Sequence, residues 1–156
     1  MKCKSHQAQI PNRKFTACFV GWGATGNQYG CIWLYNPATG RFDYSKEFSG
    51  LPRYWLEPAT KTIVTFERGG MAGLLHEANR YRVEKNVPVL IWHENQDWDS
   101  DKTQFHCVVQ ERKDDAMVTT KDQWSQPASD WSKTEAPCDP GKLFPLLQQT
   151  KSESRP

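Results

Sequence analysis

The chain has 156 residues, a formal net charge of +2, an apolar fraction of 37% and seven tryptophans. That length suits one domain of ordinary size, and the small net charge does not by itself select nucleic acid or another charged partner. No apolar run approaches the roughly 20 residues that a membrane-spanning helix needs, so no membrane partner is expected.

The first residues, Met-Lys-Cys-Lys-Ser-His-Gln, lack the apolar core of a secretory signal, so secretion is not expected. The chain has five cysteines, an odd number, and none forms a Cys-x-x-Cys pair. The sequence therefore predicts reduced thiols in a cytoplasmic protein rather than a disulfide framework. The cysteines are Cys3, Cys18, Cys31, Cys107 and Cys138.

Three regions differ in composition. Residues 1–14 form a basic arm, residues 15–120 a single α+β domain, and residues 121–156 a polar, partly ordered C-terminal tail. Within the tail, Pro140–Gln149 is predicted as a short helix and Ser152–Pro156 as disordered.

The first predicted strand is Phe15–Val20, followed by a glycine-rich segment, Gly21–Gly26. Its glycine spacing matches the dinucleotide-binding fingerprint, which requires a helix directly afterwards. The strand-like segment Cys31–Tyr35 follows instead, so the sequence favours a flexible hairpin loop with Trp22 at its tip. A second hairpin joins Cys31–Tyr35 to Arg41–Phe48 through a turn that contains Pro37 and Gly40.

The central unit runs from Thr60 to Arg112. Thr62–Phe66 is rich in β-branched residues and predicts a strand. In Met71–Asn86, apolar residues recur every three or four positions, which predicts an amphipathic helix. Val89–Glu94 is continuously apolar up to Trp92, and a helical crossover favours its parallel pairing with the first strand. Gln104–Arg112 then returns as an antiparallel strand, and Ala116–Thr120 is a candidate short edge strand.

A hairpin symmetric about the polar segment Gln96–Thr103 places His93 opposite His106. Two adjacent imidazoles with Asp99 or Asp101 nearby predict a divalent-metal site or a histidine-based, nuclease-like hydrolase. The competing interpretation is that both histidines are structural and that the aspartates cap turns. No other cofactor motif is complete, so whether the chain is an enzyme stays open.

Arginines beside aromatic residues suggest a surface that contacts nucleic-acid phosphates and stacks on bases. The candidate binding residues are Trp22, Arg41, Arg53, Tyr54, Trp55, Arg80 and Arg82. The competing interpretation of Arg53-Tyr54-Trp55 is an anchor that holds a loop on the core, which is the more common role of such residues. A third hypothesis is an inhibitor or assembly protein, for instance from a phage or mobile element, that binds a protein through Trp22, Trp55, Trp124 or Trp131.

The sequence thus predicts an α+β fold with a mostly antiparallel sheet of five or six strands and one main helix packed on one face. The leading functional hypothesis is a small intracellular binding protein with a macromolecular partner. Nucleic acid is the first candidate partner, and the hydrolase and the protein-binding protein are the alternatives.

Overall fold

The computed structural model describes residues 5–10, 13–22, 27–57, 59–85, 87–130, 133–134 and 136–139. The predicted helix Pro140–Gln149, the disordered segment Ser152–Pro156 and Trp131 lie outside the described residues. Trp22 is the last residue of a strand, but its side chain also lies outside them.

Within the described ranges, the backbone forms ten strands, one short helix and one 3₁₀ turn. In chain order they are β1 (Ser5–Ile10), β2 (Arg13–Trp22), β3 (Gln28–Asn36), β4 (Arg41–Ser45), α1 (Lys46–Ser49), β5 (Tyr54–Glu57), β6 (Thr62–Arg68), the 3₁₀ turn (Met71–Gly73), β7 (His76–Glu84), β8 (Val87–Asp99), β9 (Gln104–Lys113) and β10 (Ala116–Ser125). These strands make a small sheet in the order β1-β2-β3-β4 and a main sheet in the order β10-β9-β8-β7-β6-β5.

The predicted α+β fold with one main helix is wrong, because the molecule is mostly β. The expected helix Met71–Asn86 is a 3₁₀ turn followed by β7. β7 pairs antiparallel with β6 on one side and with β8 on the other. It therefore lies between the two strands that were expected to pair with each other in parallel, and that parallel pairing is wrong as well.

The turn and the ladder explain why this segment is not helical. Met71 has φ 52° and Gly73 has φ 92°, so the backbone leaves the helical region before the predicted helix is established. In β7, Ala78 is fully buried whereas its neighbour Glu77 is exposed. Pairing on both sides satisfies the β7 backbone, which outweighs a helical spacing of apolar side chains.

The main sheet has two faces, which we name after residues of β8. The Trp92 face carries Val64, Ala78 and Trp92, which are cross-strand neighbours by register or by alternation. The His93 face carries Thr65, Asn79 and His93, which are direct cross-strand partners.

The small sheet and α1 pack on the β6–β7 end of the His93 face. The buried residues Ile32, Leu34 and Phe48 form one cluster with Ile63 of β6. Phe48 is 1% exposed, and Ser45 caps the N-terminus of α1, because its hydroxyl accepts a hydrogen bond from the Phe48 amide. This cluster is the core that joins the two sheets.

The Trp92 face has its own core. Val64, Phe66 and Ala78 are buried there, with Trp55 and Trp92 packed against them. At the β8–β9 end of this face the C-terminal segment is attached by a disulfide between Cys107 and Cys138.

The Cys138 amide also donates to Gln96 Oε1 at 2.8 Å. The prediction of reduced thiols is therefore wrong for Cys107 and Cys138, while Cys31 is a free cysteine. Within the described residues, no helix is both long enough and apolar enough to cross a bilayer.

Candidate functional site: a cavity lined by arginine and tryptophan

A surface cavity opens where the β8–β9 ladder ends. The last pair of that ladder is Trp92–Glu111, although β8 begins earlier and β9 continues to Lys113. On its other edge β8 contains a bulge at Ile91, because Arg80 pairs with Trp92 and the next residue of β7 pairs with Leu90. Bulges bend a strand and re-aim its side chains, and they are common beside functional sites.

The cavity has a volume of about 500 Å³. Its walls are Arg80 and Arg82 from β7, Ile91 and Trp92 from β8, and Glu111, Arg112 and Asp114 from β9 and the turn that follows. This arm of the sheet thus brings three guanidinium groups and an indole ring to one opening, which we call the arginine cavity.

Arg112 is positioned by two hydrogen bonds from its guanidinium to backbone carbonyls. Its Nε donates to the Leu90 carbonyl at 2.7 Å, and its Nη1 donates to the Asp115 carbonyl at 3.1 Å. In the described part of the chain no carboxylate lies within 4.0 Å of its guanidinium. Arg112 is half-buried, so it presents a fixed positive charge whose acceptors are neutral carbonyls.

The two arginines of β7 are each paired with a carboxylate. Arg80 lies 3.1 Å from Glu57 and 5.8 Å from the centre of the Trp92 ring, and its side chain is 26% exposed. Arg82 donates from Nε to Glu84 at 2.6 Å, and its side chain is 60% exposed. Arg80 is therefore held against the aromatic wall, whereas Arg82 lies at the rim, where ion pairs are weak.

This arrangement is suited to an anionic group that carries an apolar neighbour. The guanidinium groups supply directed donors, and Trp92 with Ile91 supplies a half-buried apolar wall. Glu111 and Asp114 line the same cavity and are exposed, so the local charge is mixed rather than uniformly positive.

Of the predicted binding residues whose side chains the structure describes, Arg80 and Arg82 lie in this cavity and the other four do not. Burial, and secondarily the charge of Arg68, lowers the pKa of Arg53 below its usual value. Tyr54 packs against the cluster between the sheets, and its burial raises its pKa to about 12. Trp55 packs against the core of the Trp92 face. The side chains of Tyr54 and Trp55 thus pack against the two cores, which is the packing that the anchor interpretation of this loop expects.

Arg41 lies elsewhere, at the exposed end of the β3–β4 hairpin in the small sheet. The arginines singled out in the sequence therefore do not form one continuous basic face.

The expected pairing of His93 with His106 is wrong. His93 pairs with Gln110, and His106 pairs with Asp97. The register is displaced by four residues, an even number, so both histidines still lie on the same face but about 13 Å apart along the strands.

Each histidine has its own partners on that face. His93 donates from Nδ1 to Asn79 at 2.7 Å. His106 lies 2.8 Å from Asp122 and stacks on Trp124 with ring centres 3.8 Å apart. The two imidazoles therefore do not act on one ligand atom together.

The two aspartates of the metal hypothesis lie at the β8–β9 turn. The carboxylate of Asp99 accepts hydrogen bonds from the amides of Asp101 and Lys102, both at 2.9 Å. The bond from the Lys102 amide is the main cause of the lowered pKa of Asp99. Among the described side chains, no group of three or more His, Cys, Asp or Glu residues is placed to hold a metal ion. Asp99 thus caps a turn.

The sequence analysis did not identify five of the lining residues, Ile91, Trp92, Glu111, Arg112 and Asp114. Ile91 and Trp92 stand in a continuous apolar run, which gives no sign of a bulge. In the sequence, Arg112 only marks the end of the predicted strand Gln104–Arg112. The cavity arises from where a ladder stops, and no residue pattern in the sequence marks that point.

In the described residues, the fold and cavity together define a mostly β, antiparallel protein with a mixed-charge, aromatic surface site. No protein-family model matches the chain, and no curated protein matches it.

Among solved structures the chain is similar to one described as a Xanthomonas type IV secretion system related protein, with a TM-score of 0.53 and 15% sequence identity. The match covers 69% of this chain and 52% of that one, so the chain spans about half the length of the similar structure. At this identity the similarity shows a common fold alone.

Proposed function

We propose that this protein is a binding protein whose partner is another protein, and that the arginine cavity is the centre of the contact surface. The convergence of Trp92 with Arg80, Arg82 and Arg112 around one surface opening carries this proposal. Tryptophan and arginine are the residue types most enriched at energetically dominant positions of protein interfaces, where they occupy desolvated pockets.

The charge around the cavity favours a protein over nucleic acid. A nucleic-acid surface neutralises successive phosphates and needs cations that are not already paired. Here Arg80 and Arg82 are paired with Glu57 and Glu84. Acidic residues also line the cavity itself, which suits the mixed charges of a protein surface better than a phosphate chain.

The hydrolase hypothesis has less support. It depended on two imidazoles facing each other, and they lie in separate hydrogen-bonded groups on the other face of the sheet. The similar Xanthomonas structure is described as related to a secretion system. That description is in keeping with a protein that makes contacts with other proteins.

The test is a comparative capture experiment in extract of the organism that produces the protein. The immobilised wild-type chain is compared with Arg82→Glu, which reverses a rim charge that is 60% exposed and is therefore compatible with folding. Arg41→Glu is the matched control, because it makes the same change on an exposed residue of the small sheet. Bound proteins are quantified by mass spectrometry after nuclease treatment.

We expect at least one protein to be retained by the wild type and by Arg41→Glu, and to be reduced about tenfold or more with Arg82→Glu. Equal retention by all three chains would remove the cavity from the contact surface. Loss of the retained protein after nuclease treatment would indicate that nucleic acid is the direct partner.

A further inference from the structure

We infer that the arginine cavity receives a carboxylate from an acidic segment of the partner protein, seated beside an apolar side chain of the same segment. This inference rests on the proposed function and specifies the chemistry of the ligand. It identifies Arg112, rather than the more exposed Arg82, as the residue that receives the charge.

Within the described residues, the Arg112 guanidinium is held in place but does not use all of its donors. A guanidinium has five N–H donors in a planar fork, and Arg112 uses Nε–H and one Nη1–H on the carbonyls of Leu90 and Asp115. Its other donors meet no further acceptor in the residues that the structure describes. Since the Arg112 side chain is already immobilised, the binding of a carboxylate costs little additional conformational entropy of Arg112.

Arg112 also has a structural role at the end of the β8–β9 ladder. Where the β8–β9 ladder ends, the Arg112 side chain replaces a backbone donor and satisfies the Leu90 carbonyl. A lysine has only one terminal nitrogen and cannot bridge the carbonyls of Leu90 and Asp115 with the same planar geometry. The site therefore combines a structural bridge with a positive charge that has no described carboxylate within 4.0 Å.

The acidic residues at the cavity limit the charge of the anion that can bind. Glu111 and Asp114 line the cavity and are exposed, so each additional negative charge on a ligand meets repulsion. A single carboxylate fits this pattern better than a phosphodiester chain, which brings a charge with every nucleotide.

The apolar residues of the cavity favour a ligand in which an apolar side chain lies next to the carboxylate. Trp92 and Ile91 are half-buried, and the bulge gives Ile91 a place beside Trp92 that regular pairing would not. A leucine-like or aromatic side chain next to the carboxylate removes this apolar surface from water, at about 25 cal/mol per Å² buried. The ligand is thus an acidic residue flanked by apolar residues.

The probe is the peptide acetyl-Gly-Leu-Glu-Leu-Gly-amide, and its matched control carries Gln in place of Glu. Binding is followed by NMR on the ¹⁵N-labelled full chain, through the arginine Nε–H and tryptophan indole N–H signals. Inorganic phosphate and a short oligothymidylate are titrated in parallel. We expect the acidic peptide to shift the Arg112 and Trp92 signals with a Kd of about 1 mM, and the Gln peptide to bind at least tenfold more weakly.

Two variants locate the charge. In Arg112→Lys the acidic peptide is expected to bind about tenfold more weakly, whereas Arg41→Lys leaves its affinity unchanged. If the spectrum shows that Arg112→Lys is unfolded, Arg82→Gln is used instead. It is then expected to weaken binding no more than about threefold, because Arg82 lies at the rim.

Equal binding of the Glu and Gln peptides, or the absence of any shift, would overturn the inference. Tighter binding of phosphate or oligothymidylate would overturn it in favour of a phosphate ligand. If the inference fails while Arg82→Glu still loses a captured protein, the proposed function stands with a different contact chemistry. If the peptide binds but capture is unaffected by Arg82→Glu, the carboxylate site stands and the proposed contact surface does not.

Discussion

At the scale of single residues, the most consequential pair is His76 with Glu94 on the Trp92 face. Their side chains are 0% and 3% exposed, and His76 Nε2 lies 3.0 Å from Glu94 Oε1. His76 Nδ1 is buried and has no hydrogen-bond partner among the described residues, and its ring lies beside Phe66 with centres 5.6 Å apart. Each side chain therefore offsets part of the free-energy cost of burying the other.

We predict strong coupling between these two residues. Replacing one partner, as in His76→Leu, leaves a buried polar group unpaired and is expected to lower the free energy of unfolding by about 3–5 kcal/mol. The double variant His76→Leu/Glu94→Leu is expected to be more stable than His76→Leu alone, since neither side chain then has a polar group to satisfy. Urea unfolding of both single variants and the double variant measures this. Additive losses would show that the pair is not coupled.

At the scale of elements, the connection from β6 to β7 depends on a close approach at Gly69. The Gly69 amide donates to the Leu75 carbonyl at 2.8 Å, which closes the loop around the 3₁₀ turn. A Cβ at position 69 would lie 2.9 Å from Leu75 Cβ and 3.0 Å from its carbonyl oxygen. Both distances are shorter than ordinary contacts, so the backbone must move to accept any side chain here.

Gly69→Ala is therefore expected to destabilise the protein by about 1–3 kcal/mol, the usual cost of forcing extra volume into a packed site. Gly50→Ala is the control, because the nearest atom to its added Cβ is 4.0 Å away. Thermal unfolding of the two variants checks this. A Tm for Gly69→Ala that equals that of Gly50→Ala would contradict the packing described for the turn.

The same region shows why the sequence misled about β7. Met71, Leu74, Leu75, Ala78 and Tyr81 have helical spacing, but Ala78 and Tyr81 lie on opposite sides of a strand in the structure. The strands β6, β8 and β9 were predictable because their apolar and β-branched runs are long. A segment whose apolar residues fit both a helical and an alternating pattern can form either a helix or a strand. In such a segment, pairing with the neighbouring strands determines which of the two forms.

The displaced hairpin register has a similar cause. The polar segment Gln96–Thr103 was expected to be the loop, yet β8 continues to Asp99. Gln96 is 1% exposed, because its side chain bonds to the Leu74 carbonyl and to the Cys138 amide. A polar residue can thus belong to a buried strand when distant backbone groups satisfy it, and a single sequence does not contain those distant partners.

At the scale of the whole molecule, the C-terminal segment is held to the main sheet by the disulfide, with 31 residues of sequence separation. Cys138→Ser is expected to lower stability by about 3–4 kcal/mol, because the unfolded chain is no longer restricted by that loop. The Tm of the wild type should fall in reductant, and that of Cys138→Ser should not. Cys31→Ser is the control, and it should keep the response of the wild type to reductant.

The disulfide removes one basis for the predicted cytoplasmic location. The cytoplasmic prediction rested on reduced thiols, and two of the five cysteines are bonded to each other. Intact mass before and after reduction tests the bond directly. A wild-type chain whose mass and Tm are the same in oxidant and reductant would show that Cys107 and Cys138 are not linked.

The ladder that stops at Trp92–Glu111 has a mechanical consequence. Beyond this pair, the tip of the β9–β10 hairpin is connected to β8 through the guanidinium of Arg112. A ligand that fills the opening would connect this tip to β7 and β8 through a second set of contacts. Local opening of the hairpin tip would then require the ligand to leave, so bound ligand is expected to slow hydrogen exchange of the tip amides.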